Sequence, residues 1–267
     1  ETTGGDGSNN TPVGNPVNNC GNCNVPVYTA PILEFEEEEE KVDPCVSLKD
    51  SQKVEKENIN PILQNFKSNL YHFGENVTRI DKSGPTLPSI VPSYSPVVFP
   101  TTIKAETTFK INRKTVTVIH SHPYPETYSM FSWGDVYVLL KMLEYNETNK
   151  KNIRELSFML VTYDPLSAST VVYALKIDDF HAFKNKMNSQ LNALGDMKLE
   201  NKLSILNAEL GNEFSNEINS EKAFLDFFSG FGVSLYQAED DLSNWKKLEN
   251  STDPLFPNSI IKTPCNN

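Results

Sequence analysis

The sequence predicts an α/β (α+β) fold, a mixed β-sheet flanked by helices, over residues 44–267. Three observations predict it. Residues 115–119, 156–162, 170–177 and 233–237 are short runs rich in Val, Ile, Leu, Phe and Tyr, the composition of strands. Residues 133–145, 179–193, 198–218 and 221–228 repeat apolar side chains at helical spacing. The two kinds of segment alternate without an internal repeat, the pattern of a sheet covered by helices. A chain of 267 residues is long enough to bury a full core.

Residues 1–43 are rich in Asn, Gly, Pro and Glu and lack apolar periodicity, so they are expected to be a disordered acidic tether. Over 46–73 the spacing turns helical, with Ile59, Ile62, Leu63, Phe66 and Leu70 on one stripe; Pro61 suits a helix N-terminus and suggests two short helices. A short strand is expected over 74–80. The Pro- and Ser-rich connection over 84–100 is long for a compact domain and reads as a flap. Residues 107–111 and 115–119 are expected to pair as a hairpin around Asn112, Arg113 and Lys114. The helix over 133–145 carries Val136, Leu139, Leu140 and Leu143 on one face. Asp164 and Pro165 mark a turn between two strands, and 233–237 is expected to be the last strand.

The formal net charge of -11 argues against nucleic acid as a partner, because a phosphate backbone needs a basic surface. No apolar run reaches about 18 residues, so no transmembrane helix is expected. The first residues are Glu1, Thr2 and Thr3, with no Met and no signal-like start, which suggests a processed chain whose export signal or lipid anchor lies outside it. Cys20 and Cys23 lie among Asn, Gly and Pro; a local disulfide or two free thiols suits them better than half a zinc site. Cys45 and Cys265 each follow a proline and bracket the folded part. A disulfide joining them is a hypothesis that implies an oxidising compartment, and a mass change on reduction separates it from two thiols. The sequons at Asn76, Asn146 and Asn250 read as chance in an Asn-rich chain.

The chemistry concentrates at His120-Ser121-His122-Pro123 and Ser132-Trp133-Gly134-Asp135. Residues i and i+2 of a strand share a face, so two imidazoles stand side by side at the end of an apolar run. Asp135 returns after a loop, at the start of an apolar helix. Two imidazoles and one carboxylate form a common catalytic zinc shell that leaves the fourth position for water. The plain alternative for His120 and His122 is a pair of strand residues with satisfied hydrogen bonds. Ser132 and Asp135 also match a helix capping box, and Asp135 is not expected to cap and ligate at once. Deaminase chemistry needs a Pro-Cys-x-x-Cys partner that the chain lacks after its histidines. Amidohydrolase-like and PHP phosphoesterase sites need further histidines, and only His72 and His181 remain, neither with an expected metal role. Tyr128, Phe131 and Trp133 read as core and loop-packing residues.

This pair of motifs, about 16 residues from His120 to Asp135, resembles the signature of the JAB/MPN family, the JAMM zinc metallopeptidases. Residues 130–135 are similar to JAB-like proteins of Bacteroidetes, many of them exported. The resemblance implies a JAB/MPN-like (cytidine-deaminase-like) core, Zn2+ as cofactor, and His120, His122 and Asp135 as its ligands. It further implies that Ser132 helps hold an oxyanion and that an upstream glutamate, not a ligand, takes a proton from the attacking water. Glu75, 45 residues before His120, suits that place; Glu106, 14 residues before it, is the competitor. The loop from His122 to Ser132 is somewhat longer than is usual in the family, and Asn76-Val77-Thr78 is more polar than the family's strand there. The implied function is a zinc-dependent metallopeptidase or isopeptidase acting on a protein or peptide outside the bacterial cytoplasm, secreted or in the cell envelope. The alternative is a non-catalytic binding or structural module of the same fold; a toxin or effector sharing the chemistry is a third expectation.

Overall fold

The computed structural model describes residues 43–71, 75–81, 89–93, 110–125, 127–147, 150–217, 219–239 and 243–265. In chain order the elements are α1 (Pro44–Ser68), β1 (Val77–Asp81), β2 (Ser89–Ser93), β3 (Thr115–Ser121), α2 (Trp133–Asn146), α3 (Lys150–Glu155) and β4 (Ser157–Asp164). They continue with β5 (Ser169–Ile177), α4 (Phe180–Ala193), α5 (Leu199–Asn216), α6 (Ser220–Phe227), β6 (Val233–Ala238), β7 (Lys246–Asn250) and β8 (Ile260–Pro264). The strands form one sheet in the order β2-β1-β3-β4-β5-β6-β7-β8. Only β3 and β4 run parallel; every other neighbouring pair is antiparallel. A parallel pair needs a crossover, and α2 and α3 supply it.

Both faces of the sheet are covered, so the central strands are apolar on both sides. On one face Val118, Phe158, Leu160, Tyr173, Leu175 and Leu235 pack with buried side chains of α2, α4, α5 and α6. On the other, Ile119, Met159, Val161, Val172 and Ala174 meet Leu48, Leu63 and Phe66 of α1. Helix α2 buries Trp133, Val136, Leu139, Leu140, Met142 and Leu143. Burial on that scale contributes on the order of 10 kcal/mol and fixes the helix that carries Asp135. A disulfide joins Cys45, at the start of α1, to Cys265, just after β8, across 220 residues of chain. Both cysteines pack against the α1-side core.

Several local expectations are corrected. Helix α1 runs unbroken through Pro61 for 25 residues. Its start is set by Asp43, whose side chain accepts from the Cys45 N–H at 2.8 Å, with Pro44 in the first turn. The β3 strand does not form the expected hairpin: β1 and β4 occupy its two edges, and residues 107–109 lie outside the described ones. Part of the connection expected as a flap is strand β2, paired with β1. Strand β6 is not the last, since β7 and β8 extend the sheet. Of the tether expected over 1–43, residue 43 caps α1 and the rest lies outside the described residues, as do Cys20, Cys23, His72 and Glu106.

Candidate metal centre

All seven residues of β3 are buried, which forces even its polar side chains to find partners inside the protein. His120, beside Leu160 of β4, lies against the rings of Phe158 and Phe131, at centroid distances of 4.9 and 6.2 Å. Its Nδ1 is 3.0 Å from the Met159 carbonyl oxygen. His122 follows the strand, and its Nδ1 is 2.9 Å from the Tyr128 carbonyl oxygen. A carbonyl can only accept, so each Nδ1 carries the proton and donates it. Both Nε2 lone pairs are then left pointing inward, the orientation by which proteins present imidazole to a metal.

Asp135 closes the group. Its Oδ1 is 3.3 Å from His120 Nε2 and its Oδ2 3.4 Å from His122 Nε2, while the two Nε2 atoms are 3.1 Å apart. The capping box is also present. Ser132 donates to Oδ2 from its N–H at 2.7 Å and from its hydroxyl at 2.8 Å, and the hydroxyl accepts from the Asp135 N–H at 3.1 Å. The cap and a place in the cluster thus meet in one side chain, and the cap does not take Asp135 away from the histidines. One carboxylate has two oxygens, and the cap employs Oδ2 while Oδ1 remains turned to His120. The cap in fact fixes the carboxylate, and the helix N-terminus favours its charge.

Glu75 comes to the same place from a different segment. Its Oε1 is 3.9 Å from His122 Nε2 and its side chain is partly exposed. Asn76 anchors it: the Ser121 N–H donates to the Asn76 carbonyl at 2.9 Å, and the Asn76 N–H donates to Ser121 Oγ at 3.0 Å. His181 is exposed on α4. Phe131 and Trp133 are core residues, while Tyr128 is 48% exposed, with its ring on Phe214.

The electrostatics follow from this geometry. Two imidazole nitrogens and a carboxylate converge between buried side chains, with Ser132 donating to one carboxylate oxygen. Burial by itself lowers the His122 pKa, but the hydrogen bond and charge of Asp135, with Glu75 behind, outweigh burial and raise it to about 9. Burial likewise raises the Asp135 pKa, and the charge and hydrogen bonds of His120 and His122 reverse this and hold it well below the usual range. The cluster attracts positive charge.

The same distances test whether a metal fits. Tetrahedral zinc with bonds of about 2.0–2.1 Å separates its ligand atoms by about 3.3–3.4 Å. Here the two Nε2 atoms are 3.1 Å apart, His120 Nε2 is 3.3 Å from Oδ1 and His122 Nε2 is 3.4 Å from Oδ2, and one ligand atom from each residue lies within 4.8 Å of the others, close enough to share one ion. Among the described residues, His120, His122 and Asp135 are the group of acid, thiol or imidazole side chains placed to hold a metal ion. The sequence pointed to these side chains but not to the Met159 and Tyr128 carbonyls that orient them, because a backbone acceptor leaves no residue signature. No protein-family model matches the chain, and no curated protein or solved structure matches it.

Proposed function

We propose that the chain is a zinc-dependent metallopeptidase or isopeptidase of JAMM type, cleaving an amide bond in a protein or peptide substrate. The observation that carries this reading is the convergence of His120, His122 and Asp135, with one ligand atom of each within 4.8 Å of the others and Glu75 beside them but outside the set. Zinc held there would polarise the scissile carbonyl and lower the pKa of water to near neutrality. Glu75 is within reach to take the proton of an attacking water and return it to the leaving amine. The Met159 and Tyr128 carbonyls hold the imidazoles in the required tautomer, and Ser132 holds Asp135.

Other features agree with the reading. The parallel β3–β4 pair, with the candidate site at its carboxyl end and α2 packed beside it, is compatible with a JAB/MPN-like core. The Cys45–Cys265 disulfide suits an oxidising compartment and thus a secreted or cell-envelope protein. The net charge of -11 suits a polypeptide rather than a nucleic-acid partner. No helix among the described residues is long and apolar enough to cross a membrane.

A second reading, a non-catalytic binding or structural module of the cell envelope with the same metal, draws on one observation. The Ser132 hydroxyl has a single proton and gives it to Asp135, so it must turn away from Asp135 to serve an oxyanion.

Elemental analysis of the chain purified without chelator, beside His122→Ala, tests the metal. The expected result is about one zinc per wild-type chain, lost in the variant; a wild type that takes up no zinc on incubation would refute the proposal. With zinc established, cleavage of a peptide library that Glu75→Gln abolishes distinguishes the peptidase from the binding module.

A further inference from the structure

One face of α5 touches the supports of two of the three donors. Asn207, Gly211, Phe214 and Ser215 fall at positions i, i+4, i+7 and i+8, so they share a face of the helix. Buried Leu206, Leu210 and Phe214 fix α5 to the core. Near its middle, Asn207 Oδ1 accepts the Gly134 N–H at 3.1 Å. Gly134 precedes Asp135 in the first turn of α2, and its N–H is one of those that a helix start leaves without an intrahelical partner. Further along, the Tyr128 ring lies 5.1 Å from the Phe214 ring. Ser215 Oγ donates its proton to the Gly211 carbonyl at 2.8 Å, so the Tyr128 hydroxyl is the donor in its 3.2 Å bond to Ser215 Oγ.

The Tyr128 carbonyl accepts from His122 Nδ1 at 2.9 Å, and that bond sets where His122 Nε2 faces. No helix or strand holds this carbonyl in place, because Tyr128 lies outside regular structure. Met130 is buried two residues on, and Ser129 Oγ meets Ser220 Oγ only at 3.4 Å. The grip nearest the carbonyl is therefore that of α5 on the Tyr128 ring. Glycine at 211 lets the ring lie there. A Cβ added at Gly211 would stand 3.3 Å from Tyr128 Cε2 and from the Tyr128 hydroxyl oxygen, close enough that the ring must give way by a few tenths of an ångström. Helix interiors disfavour glycine, and the ring it admits accounts for its place in α5.

We propose that Asn207, Gly211 and Tyr128 are positioning residues of the metal centre: α5 aims His122 through the Tyr128 carbonyl and Asp135 through the first turn of α2. The inference rests on the metal site of the proposed function and deepens it. A helix some 70 to 90 residues along the chain from the donors thereby sets how well they hold an ion.

The test measures zinc affinity of the full chain by chelator competition, and the visible spectrum of its Co2+-loaded form, which reports ligand geometry. Alanine suits a helix interior better than glycine, so a purely structural role for Gly211 gives Gly211→Ala an equal or higher urea midpoint and unchanged metal binding. Pressure on the Tyr128 ring should instead weaken zinc binding by about three- to tenfold and alter the Co2+ spectrum, without lowering the midpoint measured in chelator. Tyr128 is half-exposed, so Tyr128→Ala leaves the fold standing and should weaken zinc to a similar degree. Adding Gly211→Ala to it should then change nothing further, because the displaced ring is gone. Asn207→Ala should also weaken zinc, and Asn207→Asp should restore it by keeping an oxygen for the Gly134 N–H. Equal affinities and spectra in wild type, Gly211→Ala and Tyr128→Ala overturn the inference, as does a loss that adds in full in the double variant. A wild type that takes up neither ion refutes the metal reading itself, and the inference falls with it.

Discussion

Lys176 offers a prediction that can be worked out from the structure alone. It lies on β5 at 2% exposure, with Nζ 2.9 Å from Ser47 Oγ and 3.0 Å from the Arg154 carbonyl oxygen in the last turn of α3. The ammonium thus satisfies a helix-end carbonyl but sits in the core. Burial pushes its pKa from 10.5 down to about 7, although Glu155 and Asp178 pull the other way. Because the folded value is lower than the unfolded one, the unfolded chain keeps a proton that the folded chain sheds as pH rises above 7. Stability contributed at this site therefore increases from pH 7 towards 10.5, by about 1.4 kcal/mol per unit. In the metal-free protein His122 works in the opposite sense. Its folded pKa of about 9 lies above 6.5, so its contribution is fully present below 6.5 and is lost as pH rises through 9. The wild-type profile alone mixes the two. Lys176→Met separates them, since methionine fills the stem and Ser47 Oγ can still donate to the Arg154 carbonyl, at 3.2 Å. The stability of the variant relative to wild type should be greatest at pH 6 and fall by about 3 kcal/mol between pH 7 and 9. Urea unfolding of both proteins with the disulfide intact and chelator present measures it. A difference that stays constant from pH 6 to 9 would refute the reasoning.

The Cys45–Cys265 bridge closes 220 residues of chain, for which chain entropy sets a contribution of up to about 5 kcal/mol. Reduction should lower the urea midpoint without altering zinc stoichiometry; equal midpoints before and after reduction would show that the unfolded state is not constrained as supposed. Ser132→Ala removes a helix cap and one of the two bonds to Asp135 Oδ2. It should cost about 1 kcal/mol of stability and weaken zinc binding by about tenfold in chelator competition. An unchanged zinc affinity would separate the capping box from the metal.

Where the sequence was legible, strong local periodicity made it so. Helices α2, α4, α5 and α6 and strands β4, β5 and β6 lie within a residue or two of their expected bounds, because each carries its own apolar pattern. Strands β7 and β8 escaped because Lys246-Lys247-Leu248-Glu249-Asn250 is polar and most of β8 is exposed, so pairing rather than burial makes them strands. The supposed hairpin failed because β3 pairs with a strand some 40 residues earlier, and local spacing carries no record of such a partner. Pro61 looked like a start and lies mid-helix, where packing of Leu63 and Phe66 outweighs propensity. At the site, His-x-His announced itself through period two. The carbonyls behind the rings did not, since a backbone acceptor leaves no residue signature and Met159 meets His120 only once two strands 39 residues apart pair.

The donor cluster also bears on why the residues are there at all. A helix cap needs Ser132 and Asp135, and a buried strand histidine needs one partner, which Met159 or Tyr128 already supplies. Two Nε2 atoms turned towards each other at 3.1 Å with a carboxylate across them go beyond either need, since such acceptors repel until a proton or a metal cation joins them. Stability does not explain it either, because two apolar clusters already cover both faces of the sheet and hold β3 and α2 in place. With His122 raised to about 9, a proton can neutralise the cluster in part when no metal is bound. A metal held there would compete with that proton for the same lone pair. Such competition would make metal uptake weaken as pH falls, whether the ion served catalysis or only held a binding surface.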